Sequence, residues 1–318
     1  MAIIEQAETS LSRPRLKFLL GELVLGSWRP HLLVADPLNF GVADWPDAPE
    51  VMQAALPADV DGFLCRKVNV QRFAPGIGRY GEFIYYVQYH DVLHYVEIAG
   101  SFDDYLKRFS TKSRHNLARS VRHFIARDPQ RNSCETYTTP DEMARFQHEA
   151  AAISQHTYQT RLLGSGFRSD AASLQDMVAK AERGDARGYL LRDGERAIAF
   201  AWCRRKGDSL VYDTIGYLPE CAKLSPGSVL LYLILQDMFS THRYSMLDFG
   251  PGEGQYKSMF GTGQYEFEDV YLLRRTLRHR LLVSAHYRLG NLSSDVGAML
   301  ERHGLKKKIK KLIRILRT

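Results

Sequence analysis

The sequence predicts a mixed α/β fold in two parts, and three observations predict it. An antiparallel meander runs from Gly188 to Tyr217. A helix starting near Ser228 separates the strands Leu210 to Tyr217 and Met246 to Phe249, which makes that pair parallel. A strand-rich stretch and then a helical one, from Gly21 to about Ala126, precede them.

In chain order, the first strands are expected at Glu22 to Leu25, His31 to Ala35, Gly62 to Val70 and Phe83 to Ile98. Pro, Gly and Asn at Asp36 to Gly41 and Pro and Gly at Ala74 to Gly81 mark the reversals between them. Gly76, Gly78 and Gly81 spell G-x-G-x-x-G, yet a strand follows where a dinucleotide fingerprint needs a helix, so the run reads as a loop. Helices follow at Ser101 to Phe109 and Thr111 to Ala126. In the second, Leu117, Val121 and Phe124 form a core face at helical spacing. Lys112, Arg114, Arg119, Arg122 and Arg127 lie elsewhere on it, either reaching phosphates or simply solvated. A strand at Cys134 to Tyr137, a helix opened by Pro140-Asp141-Glu142 and an amphipathic helix at Ala171 to Arg183 lead into the meander. Its strands are Gly188 to Arg192, Ile198 to Arg204 and Leu210 to Tyr217, with turns at Asp193-Gly194 and Gly207-Asp208. The helix Ser228 to Ser240, the strand Met246 to Phe249, a Gly-rich loop and a strand at Phe267 to Leu273 complete the pattern.

Composition narrows the class. With 318 residues, 45% hydrophobic and 25% charged, the chain can bury a large core and has no disordered character. The longest apolar stretches, such as Phe18 to Leu25, fall far short of the ~20 residues of a spanning helix. The first residues lack a signal-peptide layout, so a cytoplasmic location is expected. Cys65, Cys134, Cys203 and Cys221 are widely separated and read as reduced structural thiols. His90 and His94 are spaced for a metal only on a helix, and they fall in a strand, so no metal is expected. The net charge of +7 is uneven: positions 274–318 hold 13 Lys and Arg against Asp295 and Glu301, or +11, leaving −4 on the rest. The body is therefore mildly acidic, with a basic tail appended.

Two segments carry the chemistry. Lys223 to Ser228 feeds an apolar helix through Ser225-Pro226-Gly227-Ser228, whose unbonded amides and helix dipole suit a diphosphate; a plain N-cap by Ser225 is the other reading. Beyond that helix, Asp248-Phe249-Gly250-Pro251-Gly252-Glu253-Gly254-Gln255-Tyr256-Lys257 concentrates an acid, a phenol and an amine at a strand end. Asp248 reads as a structural group holding this loop through its N–H groups.

The order of meander, Ser-Pro-Gly helix start, Asp-Phe strand end and Gly-acid-x-x-Tyr-Lys loop resembles the GNAT superfamily of N-acyltransferases, in the CelD-type branch related to bacterial cellulose-biosynthesis acetyltransferases. It is more distantly similar to the Fem-type transferases that take amino acids from tRNA. The resemblance is good from about Arg187 to Leu273 and extends weakly to Lys112-Ser113-Arg114 and Thr157-Tyr158-Gln159; where relatives often have two adjacent acids, this chain has Glu253 and Gly254. It implies a GNAT fold with two GNAT-like halves, residues 1–130 and 131–275, and a basic helical tail over 276–318. It also implies that the strands Leu210 to Tyr217 and Met246 to Phe249 splay apart around pantetheine, while Ser225, Gly227 and Ser228 hold the diphosphate of acetyl-CoA or another acyl-CoA.

Acyl transfer from a thioester to an amine needs a deprotonated amine, a stabilised oxyanion and a stabilised thiolate. Tyr256 is the candidate acid, Lys257 the oxyanion or phosphate stabiliser, and Asp213 or Glu253 the base. Asp213 interrupts an apolar strand, which suits either a base or an ion pair with Arg204 or Arg205. Tyr158, Gln159 and His156, with Lys112 and Arg114, are candidates for substrate binding. In the tail, Leu305, Ile309, Leu312, Ile313 and Leu316 recur at helical spacing among lysines and arginines, which suits an anionic membrane face, tRNA or an acyl carrier protein; docking on the body is the other reading. Three functions follow: acyl-CoA-dependent transfer to an amino sugar, polysaccharide precursor or amino-acid-like amine; aminoacyl transfer from charged tRNA; and a degenerate scaffold at the inner membrane.

Overall fold

The computed structural model describes residues 7–21, 23–37, 48–157 and 166–302. They form a mixed α/β fold in two compact units, 1–91 with 266–318, and 92–265. These units are bounded elsewhere than at 130 and 275, for two reasons. The strand Gly263–Arg274 pairs antiparallel with Gly62–Asn69, which returns it to the N-terminal strands. The helices between 101 and 127 pack instead on the helix Pro226–Thr241.

In the first unit, β1 (Ala7–Ser12) pairs antiparallel with β4 (Leu32–Pro37), β4 parallel with β5 (Gly62–Asn69), and β5 antiparallel with β13 (Gly263–Arg274). β6 (Gly76–Tyr80) pairs with the start of β7 (Phe83–Glu97), and Gly81 turns between them at φ +58°, so the G-x-G-x-x-G run builds a hairpin. Strand alternation fills both faces. Phe63, Cys65, Val270 and Leu272 join Met52 of α1 (Pro49–Ala55) in one core. Leu64, Tyr271 and Leu273 join Leu16 of β2 (Leu16–Leu20), Trp28 of β3 (Leu23–Trp28) and Val283 of α8 (Leu277–Arg302) in another. The elements β1, β2, β6 and α1 go beyond the sequence reading.

In the second unit the order is β7, β12 (Met246–Pro251), β11 (Ser209–Tyr217), β10 (Arg196–Lys206), β9 (Ala186–Asp193) and β8 (Ser133–Tyr137). β9 to β11 form the expected meander, and β8 pairs antiparallel with β9 at its edge. β11 and β12 are parallel across α6 (Pro226–Thr241), as the crossover predicts. α6 buries Val229, Leu230, Leu231, Ile234, Leu235 and Met238 and packs on β9 to β11. It contacts α2 (Phe102–Leu106) and α3 (Thr111–Arg127), the latter capped by Ser110. α4 (Pro140–Gln155) and α5 (Ala171–Glu182) also cover the meander, and Phe146 of α4 meets Trp202 of β10 at 5.8 Å. Glu142 anchors the start of α4 by accepting the N–H groups of Thr138 and Thr139 at 2.7 and 2.9 Å.

Candidate active site

The site begins where two strands part. β11 and β12 are paired only from Ser209 opposite Met246 to Val211 opposite Asp248. Just beyond, Asp213 is an extra residue in β11, because Tyr212 lies opposite Cys203 while Thr214 lies opposite Trp202. Such a bulge sharpens the local twist and turns β11 away from its neighbour. Leu218 N–H bonds Ile198 C=O at 2.9 Å on the β10 side, so alternation aims the main-chain groups of Ile215 and Tyr217 at the open side.

The start of α6 faces the same opening. Ser225 precedes Pro226 at φ +50° and ψ +48°, and its hydroxyl makes no capping bond. That left-handed backbone carries strain of roughly 1 kcal/mol for a residue with a Cβ. Its C=O accepts Val229 N–H at 3.0 Å, so Gly227 and Ser228 present first-turn amides with no side-chain cap from Ser225. A Cβ on Gly227 would meet only Tyr217 Cδ1, at 3.7 Å. The plain N-cap reading therefore fails, and the helix mouth is available to an anion.

Between mouth and strand lies a cavity of about 410 Å³, lined among others by Phe200, Tyr212, Tyr217, Gly227, Leu230 and Tyr256. Tyr256 belongs to α7 (Gln255–Phe260), a short helix where the sequence reads as a loop. Its ring meets Phe249 edge-on at 5.6 Å and Tyr212 at 6.5 Å. Burial pushes its phenol up to about 12, so it is a hydrogen-bond donor at neutral pH.

Among the described residues, Lys257, Glu253, Asp213, Lys112 and Arg114 are not wall residues of this cavity. Lys257 is buried, and its Nζ donates to Gly250 C=O at 3.0 Å and Pro251 C=O at 2.7 Å, stapling the Gly-rich loop. Gly250 N–H donates to buried Asp248 Oδ1 at 2.7 Å, as expected of a structural acid. Glu253 is exposed and lies 3.1 Å from Nε2 of buried His94, a pairing the sequence reading did not anticipate. Asp213 sits 3.5 Å from Arg204 Nε and lines a second cavity of about 380 Å³ with Trp202 and Asp176. Lys112 and Arg114 occupy the first turn of α3, outside the wall of the first cavity. Tyr158, Gln159 and the basic segment 303–318 lie outside the described residues. Among the described residues no group of three or more His, Cys, Asp or Glu could hold a metal.

Sequence reasoning missed Thr157, Phe200, Tyr212 and Tyr217 as wall residues. The available signal was the aromatic pair on either side of Asp213 in a strand that outruns its parallel partner.

Known proteins share features with this chain at the level of the fold and the domain. The model of the acetyltransferase (GNAT) domain matches residues 111–258, from the start of α3 through Tyr256 and Lys257. FemX is similar in structure, with a TM-score of 0.53 at 12% identity, over 86% of this chain and 91% of that one. The C-terminal domain (DUF2156) assigned to a lysylphosphatidylglycerol synthetase from Agrobacterium fabrum has a TM-score of 0.50 at 12% identity, over 89% and 88%. No curated protein matches the chain. At these identities the two structures speak for the fold alone. The match over residues 111–258 to a GNAT-type acetyltransferase domain supports a transferase.

Proposed function

We propose that the protein is an N-acyltransferase that takes its acyl group from acyl-CoA. The observation that carries this reading is the uncapped mouth of α6 at the rim of the cavity, where Gly227 and Ser228 amides meet the unpaired end of β11. A diphosphate rests on the amides, and the pantetheine arm bonds the main chain at Ile215 and Tyr217 as an added strand would. The thioester then reaches Tyr212 and Tyr256.

In the reaction the acceptor nitrogen attacks the thioester carbonyl, the C–N bond forms, the C–S bond breaks and the electron pair leaves with sulfur. The amine proton passes to a base, for which Asp213, next in sequence to the wall residue Tyr212, and Glu253, beside His94, are the candidates. Tyr256 stabilises the departing thiolate. A phenol near 12 lies about 3 units above a typical thiol, which makes full proton transfer uphill by roughly 4–5 kcal/mol, so its part is hydrogen bonding. Lys257 acts by ordering the loop that carries Tyr256. Oxyanion stabilisation falls to main-chain N–H groups of β11. The acceptor is an amino sugar, a polysaccharide precursor or an amino-acid-like amine bound from the cytoplasmic side, with Tyr158, Gln159, Lys112 and Arg114 as contacts; the cellulose-biosynthesis branch is the lineage this reading favours.

A second reading, aminoacyl transfer from charged tRNA, is favoured by the structural likeness to FemX and by the +11 charge of positions 274–318. Incubation with a panel of acyl-CoAs and, separately, with charged tRNA decides between them. Consumption of acyl-CoA with release of free thiol supports the first reading. Consumption of charged tRNA alone replaces it with the second.

A further inference from the structure

We propose that the second cavity, the one beside Asp213, holds the amine end of the acceptor, and that the acceptor it fits is a hydroxyl-rich amine of the amino-sugar class. The inference rests on the N-acyltransferase reading and adds the acceptor's place and chemistry to it. At about 380 Å³ the cavity falls within the range of small-molecule sites, roughly 300–1,000 Å³. Its floor is aromatic: Trp202 of β10 packs on Phe146 at 5.8 Å, and Phe167 meets Phe146 edge-on at 5.9 Å. Trp202 is only 6% exposed, yet its indole N–H makes no hydrogen bond among the described residues, where a buried indole ordinarily finds a partner. That nitrogen is not sealed from solvent, so it opens on the cavity its ring lines. The lip is fixed as well. Phe167 N–H donates to Ser154 Oγ at 2.8 Å, and Gln147 Nε2 donates to Ser173 Oγ at 2.9 Å.

The two cavities adjoin. Phe167 of the second meets Phe200 of the first edge-on at 5.3 Å. Along β11, Tyr212 and Ile215 line the first cavity while Asp213 and Thr214, between them, line the second, so the carboxylate starts one residue, about 3.8 Å, from the donor's wall. The charges then select the occupant. Arg168, Asp176 and Asp213 each have a partner of opposite sign, in Asp170 at 3.1 Å, Lys180, and Arg204 at 3.5 Å. The neighbourhood is therefore neutral and offers no field to a phosphorylated acceptor. Surface ion pairs of this kind are weak and can open to a ligand. The cavity then presents two kinds of polar group: the indole N–H and the guanidinium donate, and the two carboxylates and the Thr214 hydroxyl accept. A plain alkylamine would engage the acceptors alone, and a small zwitterion would leave the aromatic floor uncovered. A pyranose ring carries hydroxyls that both donate and accept, so it meets all of these groups while its C–H face packs on Trp202 and Phe167. The amino group takes Asp213, which receives the proton that the nitrogen gives up as the C–N bond forms and sulfur leaves with the electron pair.

The test titrates glucosamine, propylamine and alanine separately into the full isotope-labelled chain without donor, following the assigned indole N–H resonance of Trp202. Glucosamine is expected to shift it saturably, with half-saturation at least tenfold below that of either other amine. Asp176→Asn, at an exposed position, is expected to weaken glucosamine by about tenfold or more, with unchanged melting temperature and unchanged CoA affinity, because it removes a charged acceptor. An indole resonance that glucosamine leaves unmoved would overturn the proposal, and so would propylamine binding as tightly as glucosamine or an Asp176→Asn variant that binds it like wild type. Alanine binding more tightly than glucosamine would assign the cavity to an amino-acid acceptor instead. Since no donor is present, the result is independent of whether acyl-CoA or charged tRNA is consumed, so this inference and the reading it rests on fail separately.

Discussion

Replacing Gly227 by Asp tests the helix mouth with the least disturbance to the fold. The position has no positive φ, and a Cβ there meets only Tyr217 Cδ1, at the ordinary contact distance of 3.7 Å. A carboxylate in the first turn of α6 interacts well with the helix dipole, so stability should stay level or rise by about 0.3–1 kcal/mol. A bound diphosphate, in contrast, would lie within about 5 Å of that carboxylate. With an effective dielectric near 20, the repulsion is roughly 3 kcal/mol before salt screening, or up to about 150-fold in affinity. The assay is calorimetric titration of CoA into wild type, Gly227→Asp and Gly227→Ala, with melting curves for all three. The alanine variant should bind CoA like wild type and melt slightly higher, because it removes glycine's backbone freedom without adding charge. If Gly227→Asp binds CoA within threefold of wild type while remaining folded, the diphosphate does not rest on these amides, and the site has been misplaced.

Other consequences follow from the same geometry. Tyr256→Phe keeps the ring packing on Phe249 and Tyr212 but loses one hydrogen bond to a charged leaving group, so kcat should fall about 10- to 150-fold with little change in KM for the donor; equal kcat would remove the phenol from the mechanism. Lys257→Met leaves the Gly250 and Pro251 carbonyls without their buried donor and should cost about 1–3 kcal/mol, seen as a lower denaturation midpoint and a weaker grip on the donor; an unchanged midpoint would contradict the staple. The alkaline limit is also set by burial. Tyr256 and Tyr271 are both pushed up to about 12 by burial, above the unfolded value of about 10, so their stabilising contribution is complete below pH 10 and is lost as pH rises from there through 12. Stability should therefore start to fall above about pH 10, by roughly 2–3 kcal/mol for each phenol and seen as a falling melting temperature; a chain whose stability is flat from pH 9 to about 12 would refute that origin.

Much of the second unit was legible because its elements obey short-range rules. The α3 core face, the Pro140 helix start, the two glycine turns of the meander and the crossover through α6 each depend on residues only a few positions apart. The first unit was harder. β1 exposes nearly all its side chains, so its sequence lacks the alternation that marks a half-buried strand, and β6 hides in a glycine run whose packing reason, Tyr85 against Gly78, lies on another strand. The site divides in the same way. Ser225-Pro226-Gly227-Ser228 announces a helix start by composition alone. That Asp213 is a bulge residue is a property of register with Cys203 and Trp202, and no single strand reveals it. Lys257 reads as a free cation until the turn at Gly250, with φ +70°, brings two carbonyls onto its ammonium. Glu253 and His94 are 159 positions apart, so their pairing is written in the strand order rather than in either motif.

The central claim, that the donor's phosphates rest on the first turn of α6, is tested most directly by amide resonances during a CoA titration of the isotope-labelled protein. The Gly227 and Ser228 amides should show the largest shifts, with Ile215 and Tyr217 following at the same half-saturation. Saturable CoA binding that leaves Gly227 and Ser228 unmoved would contradict the account.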